Sequence, residues 1–175
     1  MSILENYVKV VLYVYPLLET IGKDYEEHIK NKALLSYKGQ TRTEDLAIYL
    51  AEEILAKEKL EWLKEVVDGI LEKLSDAERT LVAIRYFGKR RKVRTFLRLK
   101  EQNEGEKKEW SERGYFRKQK RLSDKVGAML AVAGLTKEKY EKEFSSMELF
   151  SKVDRFVAEG RDRKITQDEK RWFCK

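Results

Sequence analysis

The scarcity of glycine and proline constrains the fold of this chain more than any other feature. Its 175 residues include only 9 Gly and 1 Pro. Folds rich in strands need many tight turns, and these two residues form a large share of such turns. Hydrophobic residues make up 42% of the chain and charged residues 39%, which suits helices with a packed inner face and a wet outer face. The sequence therefore predicts an all-α protein with long helices and few loops.

The order of the helical segments predicts three parts. We expect a long N-terminal helical hairpin over residues 1–74, which would serve as a platform for dimerisation or partner contact. A basic three-helix module should follow over residues 75–134, and short helices over 135–175. The first segment, 2–21, is apolar almost all round, so it should be buried in the domain or in a homodimer contact. Pro16 should kink or restart that helix, because its ring removes a backbone donor.

A seam of apolar residues marks the later part of the second long helix. The spacing between its members is 3-4-3-4, as in a coiled coil. Its members are Leu60, Leu63, Val67, Ile70 and Leu74. A seam of this length is short for a free coiled coil. The favoured interpretation is packing against the first helix, and a zipper between chains is the alternative.

Capping residues predict where the later helices begin and end. Ser75 and Glu78 have the spacing of a capping box, and Ser111 is placed to cap the next long helix. Gly88 and Gly134 are expected to end helices. The extension should contain helices over 135–144 and 147–158 and a capped turn at 166–169. The sequence leaves open whether this extension packs on the core or covers the preceding basic helix.

The positive charge of the chain is concentrated in one block. Residues 85–125 contain 16 Lys and Arg against 6 Asp and Glu, a net charge of +10 within a chain of net charge +7. The remainder is therefore slightly acidic, at −3. A basic block beside a neutral or acidic remainder is the pattern expected for a polyanionic partner. The alternative is an ordinary solvated helix surface.

The sequence offers no support for an enzyme, a metal site or a cofactor site. It has one histidine, His28, and one cysteine, Cys174, and neither lies in a zinc-binding or catalytic spacing. No glycine-rich phosphate loop is present. The longest apolar run, Val10–Leu18, has nine residues, whereas a membrane-spanning helix needs about 20. We expect a non-enzymatic cytoplasmic protein without cofactor or membrane contact.

Two motifs indicate a family. Residues 74–88 read LSDAERTLVAIRYFG, in which a leucine and a serine cap precede Glu-Arg and the helix closes on Arg-Tyr-Phe. Further along, Ser111 precedes the sequence ERGYFR. This arrangement resembles region 4 of bacterial sigma factors and the similar helices of small phage and mobile-element transcription regulators. The resemblance covers about residues 74–127. Two departures are the long acidic segment 102–109 before Ser111 and Gly114, where the family usually has threonine or a similar residue.

The resemblance implies a helix-turn-helix that contacts duplex DNA, and the charges are consistent with that role. A helix N-terminus presents free backbone donors to phosphate or to the major groove. Arg113, Arg117 and Arg121 would project along one line, where arginine forks suit guanine edges, while Lys118 suits phosphate. On the preceding segment, the residues expected to hold the DNA backbone are Arg90, Arg91, Lys92 and Arg94.

Three functional interpretations follow from the sequence. The first is a DNA-binding transcription regulator whose N-terminal helices dimerise or contact RNA polymerase. The second is a non-enzymatic adaptor that binds RNA polymerase or a sigma factor, in which case the apolar residues 2–21 matter more than the arginines. The third is a helical RNA-binding protein. It is disfavoured because the aromatic residues near the basic block fall mostly on the apolar stripe, whereas RNA readers usually expose aromatics for stacking.

Overall fold

The computed structural model describes residues 6–36, 39, 42–88 and 111–173 of the chain. Within these ranges the secondary structure is helical and contains no strand, which confirms the predicted all-α class. The helices in chain order are α1 (Asn6–Val14), α2 (Leu18–Ser36), α3 (Thr43–Lys73), α4 (Asp76–Tyr86), α5 (Glu112–Val132), α6 (Lys137–Glu143), α7 (Glu148–Ala158) and α8 (Arg163–Arg171).

Pro16 interrupts the N-terminal helical segment. Helix α1 ends at Val14, a short 3-10 turn covers Tyr15–Leu17, and α2 begins at Leu18. Proline has no backbone N–H, so it does not continue the α-helical hydrogen-bond pattern. The predicted restart at this residue is confirmed.

Local capping signals set the ends of α4 and the start of α5. The Ser75 hydroxyl accepts a hydrogen bond from the backbone N–H of Glu78 at 3.2 Å. In return, the Glu78 carboxylate accepts one from the backbone N–H of Ser75 at 3.0 Å. This is the predicted capping box. After α4, Gly88 has φ +119°, a left-handed conformation that favours glycine and turns the chain out of the helix. Ser111 caps α5 as predicted.

The C-terminal extension departs from the prediction at one place. A capped turn was expected at 166–169, but the structure contains the nine-residue helix α8, which begins at Arg163. Thr166 therefore lies inside a helix and does not start one. The helix is held by a tertiary contact, since Glu169 on its inner face is fully buried, and no local pattern signals such a contact.

By its internal contacts the chain divides into two compact units. One comprises Met1–Tyr15 with Gly69–Lys175, and the other comprises Pro16–Asp68. Helix α3 contributes residues to both units. This division describes packing alone, and the functional division at residues 74 and 134 stays a prediction.

In the larger unit, α1 packs mainly against α7 and also contacts α5. Its valines Val10, Val11 and Val14 are fully buried. Aromatic contacts extend this core, with the rings of Tyr13 and Phe156 5.9 Å apart. The apolar side chains of α1 are thus already used inside the unit. A homodimer through residues 2–21 stays a prediction that no described contact supports.

In the unit Pro16–Asp68, α2 lies beside α3. The Tyr49 hydroxyl and Nδ1 of His28 are 3.1 Å apart in a hydrogen bond, and the Lys32 ammonium lies over the Tyr49 ring. The seam residues of α3 that belong to this unit, Leu60, Leu63 and Val67, are at most 2% exposed. These side chains are therefore covered within the chain, while packing of the seam against the first helix stays a prediction. No helix in the described ranges is both long and apolar enough to cross a membrane.

Candidate nucleic-acid interface

Helix α5 carries the described part of the predicted interface, and its first turn is fixed by a side-chain cap. The Ser111 hydroxyl accepts a hydrogen bond from the backbone N–H of Gly114 at 3.1 Å. A Cβ atom at position 114 would lie 3.1 Å from the same Ser111 oxygen. Glycine therefore leaves this cap undisturbed.

The inner face of α5 is buried and ties the helix to α4. Its buried apolar residues are Tyr115, Leu122, Val126 and Leu130. Two polar residues share this face. The Gln119 amide nitrogen donates to the Leu81 backbone carbonyl of α4 and to the Tyr115 hydroxyl, both at 3.0 Å. The Ser123 hydroxyl lies 3.5 Å from the Tyr86 hydroxyl. These bonds fix the rotation of α5 about its own axis and so determine which residues face outward.

The outer face of α5 carries the three predicted arginines. Arg113, Arg117 and Arg121 are all exposed. Because they are four residues apart on a helix with 3.6 residues per turn, they follow one line on the side opposite the buried stripe. Among the described residues, no carboxylate forms an ion pair with any of the three guanidinium groups.

Lysines widen the basic surface on both sides of this line. Lys118, Lys120 and Lys125 are exposed, although Lys118 also has an interaction within the chain. Asp124 lies on the same side of the helix and stands between Arg117 and Ala128 in the sequence. It is partly exposed and has an interaction within the chain. The surface is strongly basic at the N-terminal half of α5. It loses its charge beyond Lys125, where Ala128, Ala131 and Val132 follow.

An ion pair joins this surface to the start of α4. The Lys125 ammonium lies 2.9 Å from the Glu78 carboxylate, which also belongs to the Ser75 capping box. The hydrogen bond from Lys125 and the bond from the Ser75 backbone lower the pKa of Glu78 below its usual range. A groove of about 290 Å³ lies here. It is lined by Ala77, Glu78, Leu81, Lys118, Arg121, Leu122 and Lys125.

A buried ion pair fixes the C-terminal segment against α4. The Arg85 guanidinium donates to the Glu169 carboxylate at 2.8 Å, and Glu169 has no exposed surface. Burial alone would lower the pKa of Arg85, but the hydrogen bond and charge of Glu169 outweigh it and hold that pKa above the usual value. Arg85 belongs to the basic block in sequence. In the structure its guanidinium is largely buried against Glu169.

Helix α8 also supports the first turns of α5. The cationic groups of Arg85 and Lys170 each lie 5.9 Å from the centroid of the Phe116 ring. The Phe173 ring lies 5.5 Å from that of Tyr115. The C-terminal extension therefore packs on the core, which resolves the alternative left open by the sequence. It contacts the inner side of α5 and leaves the three arginines exposed.

The predicted contacts on the preceding segment lie outside the described residues. These are Arg90, Arg91, Lys92 and Arg94. The acidic segment 102–109 lies outside them as well. The structure thus places half of the predicted site residues, those at 113, 117, 118 and 121, on one exposed helix surface. Residues 90–94 stay a prediction.

Sequence reasoning missed the residues that orient this surface. Gln119 reads as part of a polar run, yet it is 1% exposed and bonds to α4. Its only signal is its spacing, since it lies four residues after Tyr115 and three before Leu122 on the apolar stripe. Glu169 lies 84 residues from Arg85 and carries no local signal of the pairing.

Comparison with known proteins adds no assignment to this geometry. A scan against protein-family models, a search of curated proteins and a search of solved structures each gave no match to the chain.

Proposed function

We propose that this chain is a DNA-binding transcription regulator that contacts duplex DNA through the outer face of α5. The observation that carries the proposal is the line of three exposed arginines on a helix whose opposite face is tied to α4. In this proposal α5 is the recognition helix of a helix-turn-helix-like module that α4 supports, and it enters the major groove by its N-terminal half. The resemblance of residues 74–127 to sigma-factor region 4 supports the same assignment.

The division of labour follows from side-chain chemistry. Arg113, Arg117 and Arg121 lie where arginine forks reach guanine edges or phosphates. Lys118, on the flank, suits a phosphate. In the same scheme, the cluster at residues 90–94 holds the DNA backbone and sets the register of the helix. Helices of the segment 1–74 then serve dimerisation or contact with RNA polymerase.

The placement of aromatic rings favours duplex DNA over single-stranded RNA. Proteins that read single strands expose aromatic rings on which bases stack. On α5, Tyr115 is fully buried, and the Phe116 ring lies near the cationic groups of Arg85 and Lys170, each 5.9 Å from its centroid. The outer face of the helix thus offers positive charge without a stacking platform, which suits the backbone and grooves of a duplex.

The test is binding to a labelled mixed-sequence duplex across a salt series. The full chain is compared with a variant in which Arg113, Arg117 and Arg121 are changed to alanine. We expect a slope of log affinity against log salt near −4 to −8 for the wild type, since each phosphate contact contributes about −0.9. If all three arginines contact phosphates, the slope of the variant should be shallower by about 2.7.

A matched control separates the surface from net charge. Lys137, Lys142 and Arg155 are exposed residues of α6 and α7, and their change to alanine removes the same charge. The proposal expects this control to bind nearly as the wild type does. If both triple variants lose the same affinity for DNA, the loss is due to net charge and not to the surface of α5. Failure of the wild type to bind duplex at low salt would overturn the proposal and leave the protein-binding adaptor as the better interpretation.

A further inference from the structure

Gln119 is a buried polar residue in the middle of the apolar face of α5. It is 1% exposed and lies between the buried residues Tyr115 and Leu122 along this face. Its amide nitrogen donates one hydrogen bond to the Tyr115 hydroxyl and another to the Leu81 backbone carbonyl of α4, both at 3.0 Å. The first bond stays within α5, and the second joins the two helices. Gln119 is therefore a direct hydrogen-bond link between the proposed recognition helix and the helix that supports it.

The stability of the core does not account for an amide at this position. The Oε1 atom of Gln119 is buried and has no hydrogen-bond partner in the described part of the chain. A buried polar atom without a partner costs free energy, whereas an apolar side chain of similar size fills such a position at little or no loss. Methionine or leucine would therefore serve packing equally well. The amide supplies what they lack, which is a directional bond to α4.

A directional bond has a consequence on the outer side of α5, where the three arginines lie. Apolar contacts are non-directional, so they tolerate a small rotation of one helix against another. A rotation of α5 by about 20° moves groups at a radius of about 6 Å by about 2 Å. A binding surface must be held to about 0.5 Å and 10–20°, so a rotation of this size would spoil it. The contact of Ser123 with Tyr86, at 3.5 Å, is at the limit of a hydrogen bond, and Gln119 provides the firmer restraint.

We propose that Gln119 is a positioning residue for sequence-specific reading of duplex DNA by α5. It contacts no base itself. By fixing the rotation of the helix, it holds the arginine forks at the angle at which they reach base edges. Attraction to phosphates depends on charge and much less on that angle. The inference rests on the proposed function, and it adds that the protein discriminates between duplex sequences.

The experiment measures two affinities for each variant of the full chain. The wild type first selects a duplex from a random-sequence pool, and the same bases in scrambled order give the non-specific duplex. Gln119→Met should bind the scrambled duplex within about twofold of the wild type, because the charge of the surface is unchanged. Its affinity for the selected duplex should fall about tenfold or more, as expected when a well-aligned base contact is lost.

The matched control is Val126→Ala, on the same inner face of α5. Val126 is 1% exposed, and its side chain has no hydrogen-bonding group. The change should lower the free energy of unfolding by leaving a small cavity, yet keep the wild-type ratio of the two affinities. All affinities are measured well below the unfolding transition of each variant, and circular dichroism verifies the helix content. Gln119→Leu replaces Gln119→Met if the latter does not fold.

The outcomes separate this inference from the proposed function. A Gln119→Met variant that keeps the wild-type ratio of affinities, or that loses affinity equally for both duplexes, overturns the positioning role and leaves DNA binding by α5 in place. A Val126→Ala variant that loses as much discrimination as Gln119→Met overturns it too, because any change in the core would then suffice. So does a wild type that binds all duplexes alike. A wild type that binds no duplex contradicts the proposed function itself, and the inference fails with it.

Discussion

Helices α3 and α5 are built alike on one side and differ on the other. Each buries an apolar stripe, with Leu60 and Leu63 on α3 and Leu122 and Val126 on α5 all at 5% exposure or less. The outer side of α3 is apolar over residues 47–55, whereas the outer side of α5 is basic over residues 113–125. Folding accounts for both inner sides, so the outer sides indicate what each helix contacts in solution. This contrast holds only if the outer residues of the two helices contribute little to the free energy of unfolding.

The largest expected effect tests that condition on α5. Tyr115→Ala should lower the free energy of unfolding by about 3–5 kcal/mol, because it removes a fully buried ring. Arg117→Ala, two residues away and exposed, should change it by less than about 0.5 kcal/mol. Urea denaturation monitored by circular dichroism measures both. An Arg117→Ala variant as unstable as Tyr115→Ala would make the arginine structural and remove the contrast between inner and outer sides.

The next effect concerns the support that α5 receives from the distant helix α8. Glu169→Ala should lower the free energy of unfolding by about 3 kcal/mol, because it leaves the largely buried Arg85 guanidinium without its carboxylate. The same denaturation measurement applies. Replacing both residues with apolar ones, as in Arg85→Met with Glu169→Leu, should recover much of the loss. A double variant no more stable than Glu169→Ala would mean that the ion pair supplies more than charge compensation.

The sequence was sufficient to predict the features of the fold that depend on local patterns. The helix starts at Ser75 and Ser111 follow from cap geometry within four residues, and the structure confirms them. The buried stripe of α5 follows from its periodicity, which is also local. The contact of Arg85 with Glu169 and the packing of α1 against α7 join segments far apart in the chain. No local sequence pattern predicts such contacts. Glu169, as a glutamate, would be expected at the surface.

The residues of the candidate site divide in the same way, into those that local spacing predicted and those whose position depends on long-range packing. The four-residue spacing of Arg113, Arg117 and Arg121 predicted a common line, and the structure places all three on the exposed side of α5. The sequence did not reveal that Arg85, a member of the same basic block, is turned inward by Glu169. For Gln119, the only sign of an interior position was its spacing from Tyr115 and Leu122 on the apolar stripe. Counting charges in the sequence therefore locates a basic segment. Only the packing shows which of its charged side chains are buried in the fold and which are exposed.

The smallest expected effect is a pH dependence where the basic surface meets α4. The pKa of Glu78 is lowered from 4.5 by Lys125 and the Ser75 backbone. Its ionised form therefore stabilises the folded state fully above about pH 4.5, and this contribution is lost as the pH falls through the lower, folded-state pKa. Glu78→Gln should cost a few tenths to about 1 kcal/mol near neutral pH, as expected for a partly exposed cap and ion pair.

That cost should shrink as the solution becomes more acidic than the usual glutamate pKa, because the wild-type side chain is then protonated as well. Urea denaturation of the two proteins between about pH 6.5 and about pH 3 measures the change. Lys125→Met serves as the control, since it removes the ion pair and keeps the capping box; its pH dependence should lie between those of the wild type and Glu78→Gln. A difference between wild type and Glu78→Gln that stays constant over this range would show that the Glu78 charge does not stabilise the fold. Lys125 would then be as available to a partner as Arg113, Arg117 and Arg121, and the basic surface of α5 would extend to the start of α4.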